Sequence, residues 1–195
     1  MSEIGAIADH QQPEIDPGRR KFLTVATSAT AAVGVVVAAV PFVASWAPSE
    51  RARALGAPVE VDLSKLQGGQ MITPTWRLKP IYIVRRDPAM VEQLPKHDNS
   101  LKDPKSENSI QPSYAHNEMR ARRADVLVLI GICTHLGCVP LGNKPSDPRG
   151  DWGGWFCPCH GSQYDTSGRV RHGPAPANLA VPPYAFESDT KIKVG

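Results

Sequence analysis

The side chains best suited to metal or redox chemistry are concentrated in two short segments of this 195-residue sequence. Box one is residues 133–138, Cys-Thr-His-Leu-Gly-Cys, and box two is residues 157–162, Cys-Pro-Cys-His-Gly-Ser. Together they contain all four cysteines and two of the six histidines. Thiolates and imidazoles bind zinc, copper and the iron of iron–sulfur clusters. The boxes therefore predict a metal centre built from two loops.

The spacing of the ligands separates two kinds of metal centre. A structural zinc site often uses two Cys and two His, but it usually pairs Cys with Cys and His with His at short separations. Here each box offers one pair of unlike ligands, Cys133 with His135 and Cys157 with His160. A two-iron cluster with two thiolates on one iron and two imidazoles on the other needs one ligand of each kind from each loop. The spacing favours this cluster, and zinc is the alternative.

Both boxes resemble the cluster-binding boxes of Rieske iron–sulfur proteins. The additional cysteine in each box makes them most similar to the Rieske subunits of ubiquinol–cytochrome c reductases. The resemblance implies a [2Fe–2S] cluster whose first iron has two cysteine ligands and whose second iron has two histidine ligands. It also implies a disulfide between Cys138 and Cys159 that clamps the two loops together. The metal ligands implied in this way are Cys133, His135, Cys157 and His160.

Four further residues complete the site that the resemblance implies. Ser162 and Tyr164 lie in the sequence Gly-Ser-Gln-Tyr. In high-potential Rieske proteins, the corresponding hydroxyls donate hydrogen bonds to a bridging sulfide and a cysteine sulfur. Pro174 belongs to residues 173–176, Gly-Pro-Ala-Pro, which resemble the proline loop that shields the cluster. Gly137 belongs to the cofactor-binding loop itself. Without the resemblance, these residues indicate only a turn serine, a core tyrosine and ordinary turns.

Histidine ligation predicts a high reduction potential. With neutral imidazoles, two ferric ions, two sulfides and two thiolates sum to zero charge, whereas four thiolates would leave a double negative charge. Because an electron is added more easily to a neutral site, Rieske centres lie at roughly −150 to +300 mV, against about −400 mV for plant-type ferredoxins. Hydrogen bonds to the sulfurs raise the potential further.

The imidazoles of His135 and His160 predict that the electron is coupled to a proton. Each ring uses one nitrogen for iron and keeps the other free to hold or lose a proton. The charge of ferric iron disfavours that proton, and reduction favours it again. A centre that takes one electron and one proton suits a quinol donor, so both histidines are the predicted catalytic residues.

The N-terminal region predicts an exported protein with a membrane anchor. Residues 1–21 form a polar tail ending in Arg-Arg-Lys, and twin arginine before Phe-Leu resembles the twin-arginine export signal. The alternative is that these arginines only flank a membrane anchor on its cytoplasmic side and are not an export signal. Residues 22–47 carry no charge and exceed the roughly 7–15 apolar residues of a cleaved signal peptide. We therefore expect a single transmembrane helix with a kink or its end near Pro41, a cytoplasmic N-terminus and a periplasmic head.

The remaining sequence predicts a hinge followed by a β-rich head. Residues 48–60 are small, polar and broken by Pro and Gly, and in the resembled family this segment lets the head swing. Residues 61–195 form the periplasmic Rieske domain, with a cluster-binding part at about 131–178. The fold class is mainly β, a Rieske-type antiparallel β-sandwich head plus one N-terminal transmembrane helix. Strands are predicted at 59–63, 71–76, 81–84, 126–130, 155–156, 184–187 and 191–194.

Residues 87–125 interrupt the strand pattern. The segment contains several prolines and many charges, and its apolar residues follow no regular spacing. It is therefore predicted to be a long surface insertion with one short helix around residues 116–123. His97 and His116, within it, are expected to be solvated rather than to bind metal. Trp152 and Trp155, in the loop between the boxes, are expected to cover the base of the cluster.

The predicted function is that of the electron-transfer subunit of a proton-translocating quinol–cytochrome c oxidoreductase in the cell inner membrane. The resemblance implies as partners a cytochrome b subunit with its quinol and a c-type cytochrome, in a dimeric complex. Alternatives are the Rieske small subunit of another periplasmic oxidoreductase such as arsenite oxidase, and a ferredoxin-like carrier or oxygenase domain. The anchor disfavours the first, and the additional cysteine pair disfavours the second. A net charge of +3 without a concentrated basic patch gives no indication of nucleic-acid binding.

Overall fold

The structure is a computed structural model that describes residues 16–150 and 153–195. It divides into two units, one that ends at Ser49 and one that runs from Glu50 to Gly195, and each is described by itself. The expectations for residues 1–15 and for Trp152 lie outside the described residues.

The first unit is one long helix, α1, Pro17–Ser45. The carboxylate of Asp16 caps it by accepting hydrogen bonds from the N–H groups of Gly18 at 2.8 Å and Arg19 at 3.3 Å. These bonds satisfy donors that the first turn of a helix leaves unpaired. The helix therefore begins before the predicted anchor at 22–47 and includes the twin arginine. Pro41 lies inside the helix, close to its end.

The composition of α1 suits a lipid environment. The hydroxyls of Thr24, Thr27 and Thr30 donate to carbonyl oxygens four residues earlier at 2.7–2.9 Å, so these polar groups are satisfied within the helix. Within the described residues, the helical stretch Pro17–Gly56 is long and apolar enough to cross a membrane by length and composition. α1 supplies most of that stretch.

A short helix occupies the segment predicted as an irregular linker. α2 is Glu50–Gly56, and its Glu50 and Arg53 form an ion pair at 2.8 Å on one exposed face. Ala, Leu and Arg are strong helix formers, so seven residues between Pro48 and Pro58 form two turns. All but one of its residues are exposed, which leaves the helix with little tertiary support.

Ten short strands are described in the second unit, where the head begins at Val59. They are β1 (Val59–Asp62), β2 (Met71–Ile72), β3 (Thr75–Trp76), β4 (Lys79–Arg85), β5 (Val126–Ile130), β6 (Trp155–Cys157), β7 (Ser162–Tyr164), β8 (Val170–His172), β9 (Tyr184–Phe186) and β10 (Lys191–Val194). All described pairings are antiparallel. The predicted mainly β class is confirmed.

The strands form three small sheets. β10 lies between β1 and β9, which brings the first and last strands of the head together in the register Val59↔Val194. β4 pairs with β2, β3 and β5. The side chains at its centre, such as those of Tyr82 and Ile83, are fully buried. β6, β7 and β8 form the third sheet. The ends of β5 and β6 lead into the two boxes.

One predicted break between strands was placed wrongly. Lys79 and Pro80 were expected to separate two strands, but both belong to β4, and Pro80 pairs with Thr75 of β3. The chain turns instead at Arg77 and Leu78, which have φ values of 50° and 62°. A two-residue hairpin turn needs positive φ at its centre, and neither residue is one that normally indicates such a turn.

The segment 87–125, predicted to be a surface insertion, packs some of its side chains into the head. It contains the helix α3 (Pro88–Gln93) and two 3₁₀ helices, Leu94–Ser100 and Ser113–Ala115, and it buries side chains in the head. The helix predicted at 116–123 is absent from these described residues. Arg120 has a φ of 50° and a fully buried guanidinium that donates to the carbonyl oxygens of Ser167, Gly168 and Leu179, a set of bonds that replaces helical pairing.

Candidate metal centre

The two boxes form loops of the same construction. The carbonyl oxygen of Cys133 accepts a hydrogen bond from the N–H of Gly137 at 3.0 Å, and that of Cys157 accepts one from Gly161 at 2.9 Å. Both glycines have left-handed backbones, with φ values of 85° and 76°. Glycine adopts this conformation without a steric penalty. Each box therefore closes a tight turn that contains its Cys and its His.

The four cysteines divide into two pairs. Cys138 and Cys159 form a disulfide that joins the loops, as expected, whereas Cys133 and Cys157 are free thiols and are each only 2% exposed. The sulfurs of Cys138, Cys157 and Cys159 lie within 4.8 Å of one another. We assign no metal to that trio because two of its sulfurs are bonded to each other, and metals bind thiolates. The free pair is the ligand candidate.

The two box histidines lie side by side. The ring centroids of His135 and His160 are 4.7 Å apart, with the rings at 89° to each other. Nδ1 of His135 is buried and has no hydrogen-bond partner in the described part of the chain. Buried ring nitrogens are normally satisfied, so this one indicates a missing partner. His135 is half-buried and His160 is exposed.

The free thiols are held in different electrostatic environments. Burial acts to raise the pKa of Cys133, but hydrogen bonds from the Tyr164 hydroxyl and the His135 backbone N–H outweigh it and lower that pKa. Burial raises the pKa of Cys157, and the neighbouring Cys133 sulfur adds to this effect. The two sulfurs therefore interact, and the site stabilises a thiolate at Cys133.

One buried hydroxyl contacts the sulfur of a free thiol directly. The Tyr164 hydroxyl donates to Sγ of Cys133 at 3.1 Å, and burial together with this bond raises the pKa of Tyr164, so the phenol keeps its proton. A hydrogen bond from Ser162 also lowers the pKa of Cys133, although burial is the largest influence and acts in the opposite direction. The structure thus places Tyr164 on the sulfur of Cys133, and it places Ser162 opposite Cys157 across β6 and β7.

The proline loop packs directly on box two. A Cβ atom added to Gly173 would meet Cα of Ser162 at 2.5 Å, so glycine is required there. The backbone N–H of Ala175 donates to Oγ of Ser162 at 3.1 Å. Thr134 of box one holds the far end of the loop, since its hydroxyl donates to the carbonyl oxygen of Ala177 at 2.5 Å. Pro174 itself is exposed beside this contact.

Thr134 and Tyr82, to which the sequence analysis assigned no role, also support the site. Thr134 lies in box one but was not singled out, although a hydroxyl in a ligand loop is a detectable signal. The Tyr82 ring stacks on Trp155 at 5.6 Å between centroids, at an interplanar angle of 13°. Trp155 is buried, and its partner in β7 is Tyr164. The stack joins β4 to β6, the strand that leads into box two.

The residues present fit a [2Fe–2S] cluster. Two buried free thiols and an unpartnered buried imidazole nitrogen lie on two loops that a disulfide ties together. Donors aimed at a cysteine sulfur are the contacts that tune iron–sulfur centres. The donor set alone would also fit zinc, so the choice depends on the comparisons with known proteins.

Two family models match the chain. The Rieske [2Fe-2S] domain matches residues 114–184, which contain both boxes and the proline loop. The model described as Ubiquitinol-cytochrome C reductase Fe-S subunit TAT signal matches residues 10–49, which contain the twin arginine and all of α1.

Proteins named ubiquinol-cytochrome c reductase iron-sulfur subunit match nearly the whole chain. The one from Rhodospirillum rubrum is 46% identical over 193 residues, 97% of this chain and 100% of the relative. Those from Allochromatium vinosum and Bradyrhizobium diazoefficiens are 49% and 48% identical, covering 91% and 96% of this chain and 88% and 97% of the relatives. This chain belongs to the family of ubiquinol–cytochrome c reductase iron–sulfur subunits. A chain of a hyperthermophilic respiratory Complex III is 29% identical, with coverage of 88% and 99% and a TM-score of 0.48.

Membership in the iron–sulfur subunit family decides several expectations. The cofactor is a [2Fe–2S] cluster rather than zinc, and the arsenite oxidase alternative is not favoured. The export signal and α1 fit a single-pass membrane protein with its Rieske head across the membrane. The family also indicates that the chain is a subunit of an oxidoreductase complex.

Replacing Tyr164 with phenylalanine is expected to lower the midpoint potential of the cluster. The lost hydrogen bond to Cys133 is stronger when the sulfur carries more negative charge, so it favours the reduced state. A bond that is stronger by about 1.5 kcal/mol in the reduced state corresponds to on the order of 60 mV for one electron. Redox titration followed by EPR measures the change. Tyr82→Phe is the matched control, because Tyr82 donates to the carbonyl oxygen of Pro140 at 2.7 Å instead. An unchanged midpoint in Tyr164→Phe would contradict the assignment.

Proposed function

We propose that this chain carries electrons from quinol to a c-type cytochrome as the Rieske subunit of a quinol–cytochrome c oxidoreductase. The observation that carries the proposal is the pair of disulfide-tied loops with two buried free thiols and the unpartnered Nδ1 of His135. The proposed ligands of one iron are Cys133 and Cys157, and those of the other are His135 and His160. When bound, the cluster supplies a one-electron acceptor of high potential.

The imidazoles give the protein a place for the proton that leaves quinol with the electron. Because Nδ1 of His135 is buried, we assign it to iron and leave Nε2 as the free nitrogen. His160 is exposed, so it is the more accessible acceptor for a quinol hydroxyl. One electron and one proton leave the quinol together, and the ring nitrogen of His160 that does not bind iron holds the proton. The surrounding hydroxyls of Ser162 and Tyr164 keep their own protons and act as fixed donors.

The partners and orientation follow as part of the same proposal. The names of the relatives support ubiquinol as the electron donor and cytochrome c as the acceptor. We further propose a cytochrome b partner that presents quinol and a c-type cytochrome partner, in a dimeric, proton-translocating complex, as the resemblance of the two boxes implies. Arg19, Arg20 and Lys21 at the start of α1 favour a cytoplasmic N-terminus. The disulfide supports a periplasmic head, since disulfides persist in that compartment. Residues 48–60, which include α2, are the proposed adjustable link to the head.

A pH-resolved redox titration of the purified full-length protein tests the function. We expect a rhombic Rieske EPR signal with a high midpoint potential that is constant near neutral pH and falls as pH rises into the alkaline range. The sign follows from the imidazoles, because reduction favours the proton on a ligand ring and high pH removes it from the oxidised form first. A low midpoint without pH dependence would indicate a ferredoxin-like carrier. Zinc in place of iron would exclude electron transfer.

A further inference from the structure

Lys102 connects the segment 87–125 with the proline loop. Its Nζ donates hydrogen bonds to the carbonyl oxygen of Gly173 and, at 3.2 Å, to that of Ala175. Its own backbone N–H donates to the carbonyl oxygen of Val170 at 3.0 Å, which fixes its position beside β8. One side chain therefore binds the peptide groups on both sides of the one that joins Pro174 to Ala175.

The peptide group between those two contacts leads to the cluster loops. Its N–H, that of Ala175, donates to Oγ of Ser162 at 3.1 Å, and both residues are fully buried. A hydroxyl that accepts this bond still has its own hydrogen to donate. Ser162 pairs with Cys157 between β7 and β6, so it is the direct cross-strand neighbour of a free thiol. The contacts form a continuous path from Lys102 through Ala175 to Ser162, beside Cys157.

The rest of the proline loop depends on the same segment. Pro174 and Pro176 have no N–H groups, so Ala175 supplies the loop's inward donor between them. At the far end, the Asn178 side chain donates to the carbonyl oxygen of Asp103 at 2.9 Å and to Oγ of Ser106 at 2.8 Å. Lys102 therefore holds the end of the loop that contacts Ser162, and its immediate neighbours hold the other end.

We propose that Lys102 is a positioning residue for the cluster. It fixes the proline loop so that Ala175 orients the Ser162 hydroxyl beside Cys157, and its positive charge lies beside the same loop. The proposal rests on the proposed function for its effect on potential, but not for its effect on the loop. Removal of Lys102 loosens the 173–176 backbone and releases the Ser162 hydroxyl from its fixed orientation beside the proposed ligand Cys157, so the cluster becomes harder to reduce.

The test compares Lys102→Met with Lys102→Arg and Lys105→Met in the full-length protein. Lys105 is exposed on the same segment, so Lys105→Met removes an equal charge without the two carbonyl contacts. Hydrogen exchange followed by mass spectrometry reports on the Ala175 N–H in a peptide covering residues 170–178. Redox titration with EPR reports on the cluster. We expect faster exchange and a lower midpoint in Lys102→Met, and values close to those of the unmodified protein in Lys102→Arg and Lys105→Met.

Hydrogen exchange and the midpoint potential test different parts of the proposal. Unchanged exchange in Lys102→Met overturns the positioning role, and so does an equal fall in midpoint in both methionine variants, which would be a charge effect alone. Faster exchange with an unchanged midpoint overturns the path through Ser162. If the unmodified protein gives no Rieske signal, the proposed function fails, while the exchange comparison still decides whether Lys102 holds the loop. If Lys102→Met does not fold, Lys102→Gln replaces it in both measurements.

Discussion

Replacing Cys157 with serine is expected to remove the [2Fe–2S] cluster from the full-length protein. Cys157 is a free thiol that is only 2% exposed, and its neighbour in the site is the other free thiol, Cys133. A serine hydroxyl is not a soft anionic ligand, so the iron that both thiols are proposed to share loses half of its protein ligands. Iron content, visible absorbance and the EPR signal of the purified protein measure the loss, which should be nearly complete.

The matched control changes the other two cysteines. The double variant Cys138→Ser/Cys159→Ser carries the same kind of substitution in the same two loops, but it leaves both free thiols in place. It should contain iron when freshly prepared and unfold more readily, because a disulfide that spans 21 residues stabilises a fold by about 3 kcal/mol in the chain-entropy account. Full iron content in Cys157→Ser would exclude Cys157 as a ligand. Equal loss of iron in both proteins would contradict the division of the cysteines into two roles.

The metal centre could be predicted because its chemistry is local in the sequence. Each box contains its proposed ligands, its disulfide cysteine and the glycine that closes its turn within six consecutive residues. The structure places Gly137 and Gly161 in left-handed turns and joins Cys138 to Cys159, so the loop geometry follows from residues that are adjacent in the chain. The alternation and apolar runs of the strands are equally local, and most strands were predicted for that reason.

The segment 87–125 could not be predicted because its partners are backbone groups far away in the sequence. Arg86 donates to the carbonyl oxygens of Ala124 and Met119, and Arg120 donates to carbonyl oxygens of the 167–179 region. Every residue has a carbonyl, so no residue type indicates that a particular one will accept such a bond. Burial lowers the pKa of Arg86 and of Arg120 to about 10, yet both guanidinium groups stay charged at neutral pH. The charges and prolines of this segment therefore predicted exposure to solvent, although the structure packs part of the segment against the head.

The second large effect is expected from Arg169, which joins this segment to the cluster-binding part. Its guanidinium is fully buried and donates to Asp165 and Asp98 at 2.7 Å each, and to the carbonyl oxygens of Leu94 at 2.7 Å and Pro104 at 3.2 Å. Asp165 is only 3% exposed. Arg169→Met leaves that carboxylate buried without its ion-pair partner, which typically costs about 3–5 kcal/mol. The free energy of unfolding should fall by this amount in urea titrations followed by circular dichroism.

Arg123→Met is the control for Arg169→Met, because it breaks an ion pair of similar length in a different setting. Arg123 and Asp125 meet at 2.8 Å, but their side chains are 34% and 37% exposed, so water screens the pair and its loss should cost only about 0–1 kcal/mol. The double variant Arg169→Met/Asp165→Asn removes the unpaired charge and should recover part of the lost stability. If Arg169→Met unfolds at the same urea concentration as the unmodified protein, the buried network does not hold segment 87–125 against the head. If the double variant is no more stable than Arg169→Met, the cost comes from the unsatisfied carbonyl groups of Leu94 and Pro104 rather than from the charge of Asp165.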